Sequence, residues 1–248
     1  MAEKNNNWIK SWAYLIIRFR WLVLLFFIIA AVLLGSGAKN LTFNNSYRVF
    51  FGADNPQLAK FDELQRVYTK TDNLIIAIKP EKGGVFNKNT LALVKELTEK
   101  AWLLPYSTRV DSITNYQHTS AEGDDLTVRD MLEGEAKDLS DQQIKYIKDT
   151  VLVEPTLKNR LIAEDALTTG VYVTFNLPDI TEENKATHAF IVPQLATKIR
   201  ALRDEMLQKY EGHKIALSGI VMMNNSFAEE SQKDIKSLMV IMLSLIHI

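Results

Sequence analysis

The stretch that decides the fold is WLVLLFFIIAAVLLGSGA, residues 21–38, which has 18 residues and no charged side chain. A helix needs about 20 predominantly apolar residues to cross a hydrocarbon core of roughly 30 Å. The stretch therefore predicts a first transmembrane helix over residues 21–38. A cleaved signal peptide is the alternative interpretation, but its apolar region usually has only about 7 to 15 residues.

A second apolar stretch, SLMVIMLSLIHI, occupies residues 237–248. As a helix these 12 residues would extend only about 18 Å, at roughly 1.5 Å per residue. We interpret residues 236–248 as the start of a second transmembrane helix. We therefore expect the chain to be the N-terminal fragment of a larger multi-pass membrane protein.

The charges divide sharply along the chain. Residues 1–20 carry four basic side chains and one acidic one, whereas residues 39–234 carry 24 basic and 29 acidic side chains. Because basic residues concentrate on the cytoplasmic side of a membrane span, we predict a cytoplasmic segment over residues 1–20 and an extracytoplasmic domain over residues 39–235. Trp8, Trp12 and Tyr14, with Lys10 among them, suggest an interfacial helix on the cytoplasmic surface. The absence of cysteine favours a bacterial inner (cell) membrane over a secreted, disulfide-bonded setting.

The domain between the apolar stretches reads as alternating helices and strands. Pro56 marks a helix start, LIIAI at residues 74–78 suits a buried strand, and Ser140 with Gln143 forms a capping-box pattern. Further helices are expected over residues 91–101, 182–210 and 222–236. Pro193 either kinks the helix over residues 182–210 or starts its second part. Further strands are expected over residues 109–113, 160–163, 170–177 and 214–217. Residues 115–125 are predicted to form an exposed loop.

This order of elements predicts an α+β fold. The pattern is typical of split βαβ, ferredoxin-like units in which helices cover one face of a mixed sheet. We predict a transmembrane helix, then an extracytoplasmic domain of this type, then the second transmembrane helix.

Four features together resemble the resistance-nodulation-division (RND) superfamily, in its MmpL-like or predicted-exporter branch. They are Arg18-Phe19-Arg20-Trp21 at the first span, FFGADNPQLAKFDELQRVY at residues 50–68, the LIIAI strand, and Leu217-Ser218-Gly219 before an acidic helix. The resemblance covers essentially the whole chain. It implies a porter-type α/β domain and a proton-driven efflux transporter that exports hydrophobic or amphiphilic molecules. It also implies that the proton-relay acids lie in later spans, so no coupling residue carries over to this chain.

Enzyme chemistry is not expected. His118, His188, His213 and His247 are far apart and form no zinc motif, and Gly83-Gly84 and Gly219 do not form a phosphate loop. We therefore predict no catalytic, cofactor-binding or metal-binding residue and no cofactor. The paired acids are best explained as solvated faces or helix starts, and the Met pair as core packing or membrane proximity in preference to a hydrophobic path; these pairs are Asp124-Asp125, Glu182-Glu183, Glu229-Glu230 and Met222-Met223.

The expected partners are the lipid bilayer and a hydrophobic or amphiphilic substrate, with no nucleic acid. Further candidate partners are a second copy of the chain, in a homo-oligomer, or a second half of the same transporter. The alternative function is an extracytoplasmic ligand-sensing domain of a membrane-anchored signalling receptor, because such domains also sit between two spans. A structural envelope protein is a third interpretation.

Overall fold

The computed structural model describes residues 2–37, 51–52, 55–68, 72–122, 125–179, 181, 184, 187 and 189–247. The chain forms two compact units, Met1–Phe43 and Asn44–Ile248. Each unit is described in turn.

The described part of the first unit contains two helices, α1 (Ala2–Arg18) and α2 (Arg20–Ser36). No residue of α2 is buried, although the helix is apolar on all sides. By length and hydropathy, no single helix in the described part of the chain qualifies as a membrane span. Lys10–Arg18 and Arg20–Ser36 qualify only together, as a pair bent by 81°. The two transmembrane helices inferred from the sequence therefore stay predictions.

The second unit is an α+β domain, as the sequence predicted. Its helices and strands, in chain order, are α3 (Pro56–Val67), β1 (Asn73–Pro80), α4 (Lys88–Trp102), β2 (Ser107–Asp111), β3 (Gln117–Glu122), β4 (Asp125–Asp130), α5 (Asp141–Val153), β5 (Thr169–Phe175), α6 (Ile191–Lys209), β6 (His213–Ser218) and α7 (Ile220–His247).

Four of the strands form one sheet in the order β2-β5-β1-β6, and β3 pairs with β4 in a separate hairpin. Every neighbouring pair in the four-stranded sheet is antiparallel, so the prediction of a mixed sheet is wrong. The reason is topological. β5 inserts between β1 and β2 and runs against both, which separates the two strands that share a direction.

Helices α4 and α6 and the first turns of α7 pack on one face of this sheet. Alternation along β1 and β5 directs one set of apolar side chains into that core, which contains Leu74, Ile76, Ile78, Val171, Val173 and Phe175. The predicted apolar faces of α4 and α6 are confirmed as buried, since Leu97 and Ile199 are at most 1% exposed. The other face of the sheet carries exposed residues such as Lys79 and Lys214.

Side chains close in sequence cap the starts of α3, α4 and α5. Asn55 caps α3 ahead of Pro56, and Asn87 caps α4. The capping box predicted at Ser140 and Gln143 is confirmed at α5, where the Gln143 backbone N–H donates to Ser140 Oγ and the Ser140 backbone N–H donates to Gln143 Oε1. Each cap satisfies backbone N–H groups that the first turn of a helix leaves without partners.

Three sequence predictions need correction. Residues 115–125 are not a loop, because β3 and most of the hairpin lie there. Residues 160–163 form turns in place of a strand, since Asn159 has a positive φ of 59° and Ile162 makes only isolated bridges. The long helix predicted from residue 182 begins at Ile191 with Pro193 in its first turn, where proline is tolerated. Of the predicted earlier part, residues 182, 183, 185, 186 and 188 lie outside the described residues.

Candidate functional site

The most distinctive feature of the second unit is the way α7 leaves it. We call the residues that fix the start of this helix the α7 junction: Asn73, Tyr172, Arg200, Gly219 and Glu229. The junction lies where β1, β5 and α6 approach the first turns of α7. It determines how the exposed end of α7 is held.

Asn73, the first residue of β1, caps α7 from the strand next to β6. Its Oδ1 accepts a hydrogen bond of 2.9 Å from the backbone N–H of Ile220, the first residue of the helix. Its Nδ2 donates to the hydroxyl of Tyr172 on β5, also at 2.9 Å. One side chain therefore ties the start of α7 to two neighbouring strands.

Gly219 is the only residue between β6 and α7. Its φ is +105°, and a Cβ at this position would lie 2.6 Å from the backbone oxygen of Asn73. Both the backbone conformation and the close approach require glycine. The turn predicted at Gly219 is therefore confirmed.

A bidentate ion pair holds α7 to α6 farther along the helix. Arg200 Nη1 and Nη2 donate to the two carboxylate oxygens of Glu229 at 2.6 and 2.8 Å. The hydrogen bonds from Arg200 hold the pKa of Glu229 at about 2, below its ordinary value of 4.5. The sequence predicts Glu229 as a solvated residue of the helix face. Its ion pair with Arg200 on α6 was not predicted. Glu230 pairs with Lys233 within the same helix.

Burial along α7 stops abruptly after this ion pair. Val221, Met222 and Ala228 are buried, whereas every described side chain from Glu229 onward is exposed. The methionine pair was predicted to lie in the core or near the membrane, and core packing is confirmed for Met222; Met223 is 41% exposed, so membrane proximity stays a prediction for it. The described apolar side chains on the exposed part are Ile235, Leu238, Met239, Ile241, Met242, Leu245 and Ile246.

This exposed apolar end is the part of the second unit least suited to water. Soluble proteins rarely expose a contiguous apolar surface of this kind unless it meets a membrane or a partner. After Lys236 the helix carries no Asp, Glu, Lys or Arg. The same holds for α2 after Arg20, so an apolar helix occurs in each unit.

A second network clamps α4 to α6 below the sheet. Glu96 accepts hydrogen bonds from Lys209 at 2.7 Å and from the Tyr210 hydroxyl at 2.6 Å, and Lys100 pairs with Glu205. Burial alone would raise the pKa of Glu96, but the hydrogen bonds from Lys209, Tyr210 and Lys100 together lower it. The charged and hydroxyl groups of this network pair with one another, so we interpret the network as structural.

The histidines lie in separate places. His213 is buried, with Nε2 at 2.9 Å from Thr90 Oγ1. His118 on β3 meets Tyr146 of α5 edge to face. His247 is at the exposed end of α7, and His188 lies outside the described residues. Within the described ranges, no group of three His, Cys, Asp or Glu side chains is placed to hold a metal ion.

The remaining sequence candidates are also dispersed. Gly83 takes a positive φ in the turn before α4, and Asp125 begins β4. Asp124, Glu182 and Glu183 lie outside the described residues.

An open groove of about 680 Å³ lies at the start of α4 and beside α5. Three lysines, Lys88, Lys145 and Lys148, line it together with Asp141 and Asp165. Charges of both signs do not select an anionic or a cationic ligand. The groove therefore assigns no ligand class.

No model of a protein family matches the sequence, and no curated protein matches it. Function therefore has to be argued from the α7 junction and from the two apolar helices. The junction was missed in the sequence because its cap joins residues 147 positions apart. The only local signal for it was glycine directly before a helical pattern.

Proposed function

We propose that this chain is the N-terminal part of a proton-driven RND-type exporter of hydrophobic or amphiphilic molecules. In this proposal α2 crosses the bacterial inner membrane, the α+β domain is extracytoplasmic, and α7 re-enters the membrane. The observation that carries the proposal is α7 itself. It is one continuous helix whose start is buried in the domain and whose end exposes only apolar and small polar side chains beyond Lys236, apart from His247.

Taken alone, α2 is at the lower length limit for a membrane span, and it qualifies as one only together with the end of α1. Its 17 residues correspond to about 25 Å at roughly 1.5 Å per residue, and spans begin at about 17 residues. Its side chains find no buried environment in the first unit. A lipid environment would remove this apolar surface from water.

The topology of the second unit supports a porter-type domain. One helix joins β1 to β2, another joins β5 to β6, and the strand order β2-β5-β1-β6 interleaves the two halves. This is the connectivity expected of a split βαβ, ferredoxin-like unit. The long connection from β2 to β5 carries the hairpin and α5 as an insertion.

Substrate and energy coupling follow from the RND resemblance of the four sequence features described above. The proposal places the proton-relay acids in membrane helices that follow this segment. The domain contributes a surface over which a hydrophobic or amphiphilic substrate passes.

A signalling receptor is the second candidate, and the α7 junction favours it too. A single glycine between β6 and α7 would transmit a ligand-induced change in the sheet directly into a membrane helix. The two functions differ in the further elements that each requires. Several closely spaced apolar helices fit the exporter, whereas a cytoplasmic coiled coil followed by a kinase module would contradict it.

Membrane topology can be tested by thiol labelling, because the chain has no cysteine of its own. We would introduce Lys145→Cys on exposed α5 and, in a separate variant, Lys10→Cys on exposed α1. A membrane-impermeant maleimide added to intact spheroplasts should label Lys145→Cys at once and Lys10→Cys only after permeabilisation. The reverse pattern would overturn the proposal.

Transport itself can be tested with the complete reading frame in inverted membrane vesicles. The exporter predicts accumulation of a fluorescent amphiphile that depends on a proton gradient and is abolished by a protonophore. A protonophore-insensitive signal would exclude proton coupling.

A further inference from the structure

The two helices of the first unit meet at a sharp angle. Lys10–Arg18 and Arg20–Ser36 are bent by 81° at Phe19. If α2 lies along the membrane normal, α1 then lies about 9° from the membrane plane, since 90° minus 81° is 9°. A helix that extended the span would continue along α2, and α1 does not.

We propose that α1 is an interfacial anchor that lies on the cytoplasmic leaflet and binds anionic phospholipid headgroups. This inference rests on the proposed membrane-spanning role of α2. It assigns a lipid partner to a segment that the exporter proposal leaves without a function.

One face of α1 is apolar and aromatic. Trp8, Trp12 and Leu15 are spaced four and three residues apart, which places them on one side of the helix. The Trp8 and Trp12 rings meet edge to face with centroids 5.8 Å apart, so both side chains lie on that side. Tryptophan is enriched at the membrane interface, because its ring is apolar and its indole N–H is polar.

A different row of the helix is polar and basic. Lys10, Tyr14 and Arg18 follow each other at intervals of four residues, which forms a second row along the helix. Every side chain of α1 that the structure describes is exposed, including Trp8 and Trp12. The apolar face therefore has no covering protein among the described residues of its unit.

Charge selects an anionic lipid surface as the occupant of this face. Residues 1–20 hold four basic side chains and one acidic one, a net charge of +3. Two copies of such a segment would repel each other, whereas phosphatidylglycerol headgroups attract it. An amphipathic helix that combines aromatic residues on one face with basic residues on the other is typical of interfacial binding.

Spin labelling of the complete chain in vesicles tests the geometry directly. Leu15→Cys and Tyr14→Cys form a matched pair, because the residues are adjacent in sequence and their side chains lie about 100° apart around the helix. In phosphatidylglycerol-containing vesicles, a nitroxide at Leu15→Cys should collide more often with oxygen, which is soluble in lipid. One at Tyr14→Cys should collide more often with a water-soluble nickel chelate.

Lipid charge is tested with Lys10→Gln combined with Arg18→Gln. Each lost charge should lower the ratio of immersed to water-exposed Leu15→Cys label about fivefold in anionic vesicles. The effect should be much smaller in phosphatidylcholine alone. The charge-preserving pair Lys10→Arg and Arg18→Lys is the control and should leave the ratio unchanged.

A third label at Ile29→Cys on α2 keeps the two proposals distinguishable. If Ile29→Cys is not deep in the bilayer, the membrane span and with it the proposed function are wrong. If Ile29→Cys is deep but Leu15→Cys and Tyr14→Cys give equal accessibility, only the interfacial anchor is overturned. Spin-spin broadening at Leu15→Cys that disappears on dilution with unlabelled protein would assign this face to a second copy and also overturn the lipid proposal.

Discussion

Gly219 is the residue on which the start of α7 depends most directly. Its φ is +105°, and a side chain would bring its Cβ to 2.6 Å from the Asn73 backbone oxygen, which is closer than van der Waals contact allows. We expect Gly219→Ala to lower the free energy of unfolding by about 2 to 4 kcal/mol, since strain and overlap add. Urea unfolding of the chain in detergent, followed by circular dichroism, measures this.

Gly134→Ala is the matched control for this substitution. Gly134 also has a positive φ, of 73°, but a Cβ there meets nothing within 4 Å. Only the backbone cost of about 1 to 2 kcal/mol should remain. Equal losses for both variants would show that the contact with Asn73 contributes nothing.

Glu229 makes the attachment of α7 dependent on pH. Its pKa is about 2 in the folded protein against an ordinary value of 4.5, so the ion pair stabilises the folded state fully above about pH 4.5. That contribution is lost as the pH falls through the folded pKa. Because both partners are partly exposed, we expect it to be only about 0.5 to 1 kcal/mol.

Glu229→Gln tests this pH dependence. The difference in unfolding free energy between the wild type and this variant should shrink as the pH falls from about 4.5 towards about 2. Glu230→Gln is the control, since Glu230 pairs only with nearby Lys233 among the partners described above. A difference that stays constant across this pH range would contradict the assigned role of Glu229.

Single residues were predictable from the sequence where their partners are local. The Ser140 capping box joins residues three positions apart, and the pattern alone identified it. The Asn73 cap joins residues 147 positions apart, and the Arg200 pair joins residues 29 apart on two helices. Such contacts depend on strand order and helix packing, which no local pattern specifies.

At the scale of elements, α3 and α4 share an apolar periodicity but differ in burial. Leu97 on α4 is fully buried, whereas Leu64 on α3 is 54% exposed. We expect Leu97→Ala to cost about 2 to 5 kcal/mol and Leu64→Ala less than about 0.5 kcal/mol. Thermal unfolding of the two variants measures both, and an equal loss would mean that the apolar face of α3 is covered.

The hairpin was missed because it has no buried apolar face, whereas α4 was found because one of its faces is apolar and buried. Leu126 and Val128 alternate on β4 but are exposed, and the flanking residues are polar on both faces. Period-two patterns stand out only when one face is buried. Strand β5 has such a face, which is why its position was predicted closely.

At the scale of the whole molecule, the membrane-spanning roles proposed for α2 and for the apolar end of α7 predict integral membrane behaviour. The chain should stay in the membrane pellet after alkaline carbonate extraction. Ile28→Asp near the middle of α2 should increase the extracted fraction, because a carboxylate at a span centre costs about 2.5 to 3.5 kcal/mol. Ile28→Leu is the control, and complete extraction of the wild type would contradict a membrane span.

The α+β class was evident from the alternation of helix and strand patterns, but the strand directions were not. Direction depends on which strands become neighbours, and β5 lies between β1 and β2 only because a connection of more than 50 residues returns it there. The insertion in that connection obscured the relation between the two halves. Sequence patterns carry no information on such long returns.

The one-residue connection at Gly219 and the Arg200–Glu229 ion pair together fix the direction of α7 relative to the domain. A helix of 28 residues is about 42 Å long, at roughly 1.5 Å per residue. A change of about 5° in the direction of the helix would therefore move its C-terminal end by about 4 Å. Because only Gly219 joins β6 to α7, a tilt of the C-terminal end of the helix is expected to change the twist of β1 and β6, which hold its N-terminal end.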